Sequence, residues 1–143
     1  MKKILLVEDY RPLRLLYQEE LEKEGYTVST AADADSALEQ ALREEFDLVI
    51  TEIRMPGKDG LDLMAELLAR KADLRIIIYT TYECYKSDFM SWAADAYLMK
   101  SSCLLELKKT VRKLLASSGS KPAGPPERSL AAGAAPATII AST

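Results

Sequence analysis

Phe46-Asp47-Leu48-Val49-Ile50-Thr51-Glu52-Ile53-Arg54-Met55-Pro56-Gly57 sets a short apolar run against an acid and a Pro-Gly turn. Ile4-Leu5-Leu6-Val7 makes a second such run and also ends on acids, Glu8-Asp9. Strands that are apolar along their whole length are covered on both faces, which is the condition of a parallel sheet with helices on each side.

Outward from these runs the chain alternates between two periods. From Pro12 the pattern is helical, with Leu13, Leu16, Tyr17 and Leu21 on one face and Gly25 closing it. Pro12 suits a first helical turn, where its missing N–H loses no bond. Tyr26–Thr30 reads as a strand. Ala34–Glu44 reads as a helix with Ala37, Leu38, Ala41 and Leu42 inward and Asp33 or Asp35 as its cap. Phe46–Thr51 is the third strand. Leu61–Arg70 is a helix with Leu61, Met64, Leu67 and Leu68 on its apolar side. Leu74–Thr80 is a strand, Asp88–Ala94 a short helix, and Ala96–Met99 a fifth strand. Cys103–Ala116 is a last helix with Leu104, Leu107, Val111, Leu114 and Leu115 inward.

Five strand–helix units in one domain, residues 1–116, predict an α/β fold: a flavodoxin-like, doubly wound, five-stranded parallel sheet of order 2-1-3-4-5 with five helices. Ligands of such sheets sit at the carboxyl ends of the strands, where strand order reverses. That rule singles out Glu8 and Asp9 after the first strand and Glu52 after the third. Thr80 ends the fourth strand and Lys100 follows the fifth. Converging carboxylates repel, which raises a pKa or recruits a cation. An Mg²⁺ ion needs few protein oxygens because it keeps several waters. An ammonium and a hydroxyl alongside supply donors for a phosphoryl group.

Composition narrows the alternatives. The 143 residues carry a net charge of −3, which gives no electrostatic reason to expect nucleic-acid binding. There is no histidine, so Ser-His-Asp and Cys-His catalysis and histidine metal sites are excluded. The two cysteines, Cys84 and Cys103, lack metal-ligand spacing and are expected as buried or half-buried free thiols in a reducing compartment. The apolar run at the N-terminus is too short for a signal-peptide core or a membrane span, so a cytoplasmic protein is expected. Ser117–Thr143 is rich in Ala, Ser, Pro and Gly and reads as a disordered tail or linker.

Taken together, Ile4-Leu5-Leu6-Val7-Glu8-Asp9, Thr51 through Gly60, Tyr79-Thr80-Thr81 and Ala93 through Lys100 resemble the motifs of response-regulator receiver domains. The resemblance covers roughly residues 2–116. It implies two-component, phosphorelay signalling, with a histidine kinase as partner and an Mg²⁺ cofactor. Glu8 and Asp9 would act at the metal with Glu52 and the backbone carbonyl of Arg54. Thr80 and Lys100 would bind phosphoryl oxygens. Tyr97 would be the aromatic switch, moving inward when the threonine swings to the phosphate. Gly57 and Gly60 would shape the loop before the third helix.

Four positions depart from the family pattern. Glu52 stands where the phosphoacceptor is an aspartate. Thr81 stands where Ala or Gly is common, Ala94 where Gly is common, and Ser101 where Pro usually follows the lysine. A cis peptide before Ser101 is not expected, since it costs about 2.5–4 kcal/mol without proline. Together they imply a divergent (pseudo-)receiver that signals or binds proteins without aspartate phosphorylation, and that is not an enzyme. The Glu52 carboxylate reaches about 1.5 Å further than an aspartate would, and a misplacement of about 1 Å can cost phosphoryl transfer around a hundredfold. Two outcomes stay open: Glu52 imitates the phosphoryl group and biases the switch, or it is tied to Lys100 and idle. The alternatives are a conventional receiver carrying a phosphomimetic Asp-to-Glu change, or a flavodoxin-like cofactor-binding protein. The latter lacks a Gly-rich phosphate cradle, and a phosphohydrolase of similar topology would need an aspartate nucleophile.

Output is expected through a protein surface, with no membrane or nucleic-acid contact by this domain. Tyr82, Tyr85, Phe89 and Trp92 recur at helix-like spacing. They form either core or an interaction face with the fifth strand and the last helix. Tyr85, Phe89 and Trp92 are the candidate contacts for a protein partner or a homodimer.

Overall fold

The computed structural model describes residues 1–81, 94–101 and 103–116. Its strands are β1 (Lys3–Val7), β2 (Thr27–Ala31), β3 (Leu48–Thr51), β4 (Ile76–Thr80) and β5 (Ala96–Met99), and its described helices are α1 (Arg11–Lys23), α2 (Ala34–Arg43), α3 (Gly60–Arg70) and α4 (Leu105–Ala116). The sheet is parallel throughout in the order β2-β1-β3-β4-β5, as the apolar strand runs predict. The expected helix at 88–94 lies outside the described residues except for Ala94. So do the aromatic stripe from Tyr82 to Trp92, Cys84 and the Ser117–Thr143 tail.

Alternation along each strand splits the core in two. Leu5, Val7, Val49, Ile76, Ile78 and Tyr97 face α2 and α3 on one side of the sheet. Ile4, Leu6, Leu48, Ile50, Ile77, Tyr79 and Leu98 face α1 and α4 on the other. The inner strands β1, β3 and β4 thus bury both faces, which is why their sequences are nearly all apolar, whereas the edge strand β2, Thr27-Val28-Ser29-Thr30-Ala31, is half polar. The edges of Tyr17 (α1) and Tyr79 (β4) meet at 5.3 Å between ring centroids, 63° between planes, a favourable T-shaped pair.

Local signals fix the helix ends. Pro12 occupies the first turn of α1, and Gly25, at φ +99°, lets the chain leave it. Of the two candidate caps of α2, Asp33 serves: its carboxylate accepts from Ser36 N at 2.8 Å. Asp59 caps α3 in the same way through Asp62 N.

Five expectations need correction. Leu16 and Leu42 are 42% and 47% exposed. The faces of α1 and α2 that meet the sheet are narrow stripes, Tyr17-Leu21 and Ala34-Ala37-Ala41, and these two leucines fall outside them. Leu63, not assigned to the apolar side, is fully buried with Leu61, Met64 and Leu67, because α3 packs against α2 as well as the sheet. The last helix starts at Leu105, not Cys103, and Cys103 is an exposed free thiol. It sits in the link before α4, exposed rather than buried or half-buried as expected.

Candidate functional site

Parallel pairing brings every strand's carboxyl end to one edge. Val7 is level with both Ala31 and Thr51, and Thr80 with Met99. Backbone bonds carry this alignment one residue beyond the strands: Glu8 N donates to Ala31 O (3.1 Å), Glu52 N to Val7 O (3.1 Å) and Lys100 N to Thr80 O (2.8 Å). Glu8, Glu52, Thr80 and Lys100 therefore meet in one crevice between β1, β3, β4 and β5. Their order in the sequence had pointed there.

The crevice is closed and internally paired. Glu8 and Glu52 are 3% and 5% exposed and Thr80 is fully buried. The Lys100 ammonium lies between the two acids, with Nζ 2.6 Å from Glu8 Oε1 and 2.6 Å from Glu52 Oε1. The other Glu52 oxygen, Oε2, accepts from the Thr80 hydroxyl, from Ile53 N at 2.7 Å and from Arg54 N at 3.4 Å. Glu8 Oε2 accepts from Tyr10 N at 3.1 Å. The residue 52 side chain is long enough to reach Thr80 and Lys100 together.

Burial pushes the Glu8 carboxyl up, against the pull of Lys100. Burial also works against the Lys100 charge, but its hydrogen bonds to Glu52 and Glu8 outweigh it and hold the ammonium above the usual lysine range. Isolated buried charges cost several kcal/mol each. Pairing makes two acids and one base tolerable here.

The remaining expected residues fall around this centre. Asp9 is exposed at the rim and Arg54 is exposed on the following loop. Tyr97 is 2% exposed and lies in the core on the α2–α3 side. Thr81 and Ser101 are exposed beside the crevice, and no peptide bond among the described residues is cis. Gly57 has φ +81°, which an L side chain resists. Gly60 has another reason to be glycine: a Cβ there would stand 2.0 Å from the Glu52 carbonyl oxygen. Its N–H donates to Ile53 O at 2.7 Å, so α3 starts in contact with the loop that follows β3.

Two side chains and two backbone amides were not legible as participants in the site. Arg14 donates to the backbone oxygens of Glu8 (2.9 Å) and Asp9 (3.4 Å), pinning the turn after β1. Tyr17, read only as core, sets its ring 6.0 Å from the Lys100 ammonium, within cation–π range. The amides of Ile53 and Arg54 wrap the carboxylate two residues or fewer behind them. Arg14 and Tyr17 sit one helical turn apart on α1, a spacing that also describes an ordinary helix face, so only the fold reveals their role.

A divalent cation fits this donor set poorly. Mg²⁺ needs oxygens with lone pairs turned to one point. Both oxygens of Glu52 and both of Glu8 already accept from the chain. Among the described residues no three Asp, Glu, Cys or His side chains are grouped to hold an ion.

The response regulator receiver domain family matches residues 4–112. This chain belongs to that family. A receiver domain is the module of a response regulator in two-component signalling. TrrA, a response regulator from Thermotoga maritima solved in complex with Mg²⁺-BeF, is 46% identical, with a TM-score of 0.78 over 80% of this chain and 99% of that one. TrrA was also solved in complex with the histidine kinase ThkA, with a TM-score of 0.76. Two Bacillus subtilis proteins are also similar. The alkaline phosphatase synthesis transcriptional regulatory protein PhoP is 33% identical over 80% of this chain and 48% of its own length. The sporulation initiation phosphotransferase F is 36% identical over 57% of this chain and 65% of its own length. The receiver thus spans roughly half to two-thirds of the curated relatives it matches. Among its described residues, no helix is long and apolar enough to cross a membrane.

Proposed function

We propose that this receiver works without phosphorylation of residue 52, the Glu52 carboxylate standing where a phosphoryl group would bind and holding the switch toward its active-like arrangement. One observation carries the reading: Glu52 takes the Thr80 hydroxyl and the Lys100 ammonium at the same time. Those are the two donors that the family resemblance assigns to phosphoryl oxygens. The idle alternative needs only the Lys100 pair. The Thr80 hydrogen bond, with Tyr97 buried beyond it, favours the active-like reading. The imitation is incomplete in charge, since a carboxylate carries about one unit against roughly −1.5 to −2 for a phosphate.

The same contacts argue against turnover. An acceptor carboxylate must offer a free oxygen in line with the donor phosphorus. Here one oxygen holds three donors and the other is ion-paired. The chain therefore acts as a protein-interaction module rather than a phosphotransferase. Its output surface is the side of the molecule that carries β5 and α4, with Tyr85, Phe89 and Trp92 as candidate contacts, and a histidine kinase remains a docking partner by family.

The test is incubation with a small-molecule phosphodonor and Mg²⁺ followed by intact-mass measurement. No stable adduct is expected on the wild-type chain. A phosphate located on Glu52 would overturn the proposal. The Glu52→Asp variant, tested in parallel, asks whether Thr81 and Ser101 also block the chemistry.

A further inference from the structure

We infer that Lys100 is this receiver's built-in cation, and that the crevice consequently takes no Mg²⁺, although its relative TrrA was solved in complex with Mg²⁺-BeF. The inference deepens the proposed function and rests on it: a site that needs no phosphoryl group has no use for the ion that would neutralise one.

A hard divalent cation is held by carboxylate oxygens converging on one point. The two buried acids do converge, but the point between them is taken. Lys100 Nζ stands 2.6 Å from an oxygen of each, the distance of strong charge-assisted hydrogen bonds. The oxygens turned away from Lys100 are also engaged, Glu8 Oε2 by Tyr10 N and Glu52 Oε2 by Thr80, Ile53 and Arg54. Asp9, which could contribute a third carboxylate, is exposed at the rim. Seating Mg²⁺ would mean either evicting a lysine that is itself only 10% exposed or placing two further positive charges against its ammonium.

The extra methylene of Glu52 is what makes this closure. An aspartate would draw the carboxylate back by about 1.5 Å, out of simultaneous reach of Thr80 and Lys100, and would free an oxygen toward Glu8 and Asp9. Cation exclusion is therefore a property of residue 52 and Lys100 together.

The experiment uses the full chain, its Glu52→Asp variant and its Lys100→Met variant. Mn²⁺ binding is read from the loss of the free-ion electron paramagnetic resonance signal, and the unfolding midpoint is followed in an Mg²⁺ titration at fixed ionic strength. The wild-type chain should leave Mn²⁺ free and its midpoint flat through millimolar Mg²⁺. Glu52→Asp should bind Mn²⁺ at least about tenfold more tightly than wild type and gain a saturable midpoint rise. Lys100→Met, if it folds, should become cation-stabilised, because its two acids have lost their internal counter-charge. Saturable wild-type binding comparable to that of Glu52→Asp would overturn the inference, and so would a Glu52→Asp chain that gains none. Wild-type cation binding without a phosphate adduct would sink this inference alone. An adduct on Glu52 would sink the proposed function.

Discussion

Lys100 is the residue on which the crevice balances. Its ammonium serves Glu8 and Glu52 at once, and removing one partner of a buried ion pair costs about 3–5 kcal/mol because the other is left uncompensated. Lys100→Met should lower the unfolding free energy by about that much near neutral pH, measured by urea denaturation. The pH dependence has a definite sign. The folded pKa of Lys100 is raised above 10.5, so its contribution is complete below pH 10.5 and is lost as pH climbs through the folded value. The gap between wild type and Lys100→Met should hold steady from neutral pH to 10.5, close above it, and shrink in acid as the Glu8 carboxyl, raised by burial, takes up its proton. Tyr79, pushed up to about 12 chiefly by burial, has the same sign. Its main cause, burial, is the same in both chains. At this scale the sequence was informative about which residues meet: Glu8, Glu52, Thr80 and Lys100 were all legible from their places after apolar strands. What was not legible was who pairs with whom, since one lysine bridging two acids depends on side-chain reach rather than on order in the chain.

The loop between β3 and α3 is the element that turns a strand end into a site. Asp59 caps the helix, Ile53 and Arg54 lend their amides to Glu52, and Gly60 lets α3 start against the Glu52 carbonyl. Gly60→Ala should destabilise by about 3 kcal/mol, because its methyl would meet rigid backbone. Asp33→Ala, which removes the cap of α2 far from the crevice, should cost about 1 kcal/mol and leave the crevice unchanged. Thermal unfolding of both variants gives the comparison. Gly25 could be read directly and the α2 cap down to Asp33 or Asp35, since a cap and a helix stop are local chemistry. Gly60 could be read as a loop glycine, but its closeness to Glu52 is a tertiary fact. Helix faces show the same limit: the period located the helices, while Leu16, Leu42 and Leu63 were misplaced because the width of a buried face is set by its neighbours.

At the scale of the whole molecule the account joins the crevice to the core. Apolar runs in the first and third strands pointed to a two-sided parallel sheet, and the succession of five strand–helix units to its order, while the half-polar edge strand β2 carries no such trace. The sheet then delivers Thr80 to Glu52 at its edge, and Tyr97, two positions back from Met99, to the core on the α2–α3 side. If the Glu52 carboxylate holds this arrangement, the chain is a switch set by its own sequence. The most direct measurement is the nuclear magnetic resonance signature of the Tyr97 ring in wild type, Glu52→Gln and Glu52→Ala, with and without a phosphodonor. The account predicts one buried Tyr97 environment in the wild type that the phosphodonor does not change, and a second, exposed population once residue 52 is alanine. Identical Tyr97 spectra in wild type and Glu52→Ala would contradict it.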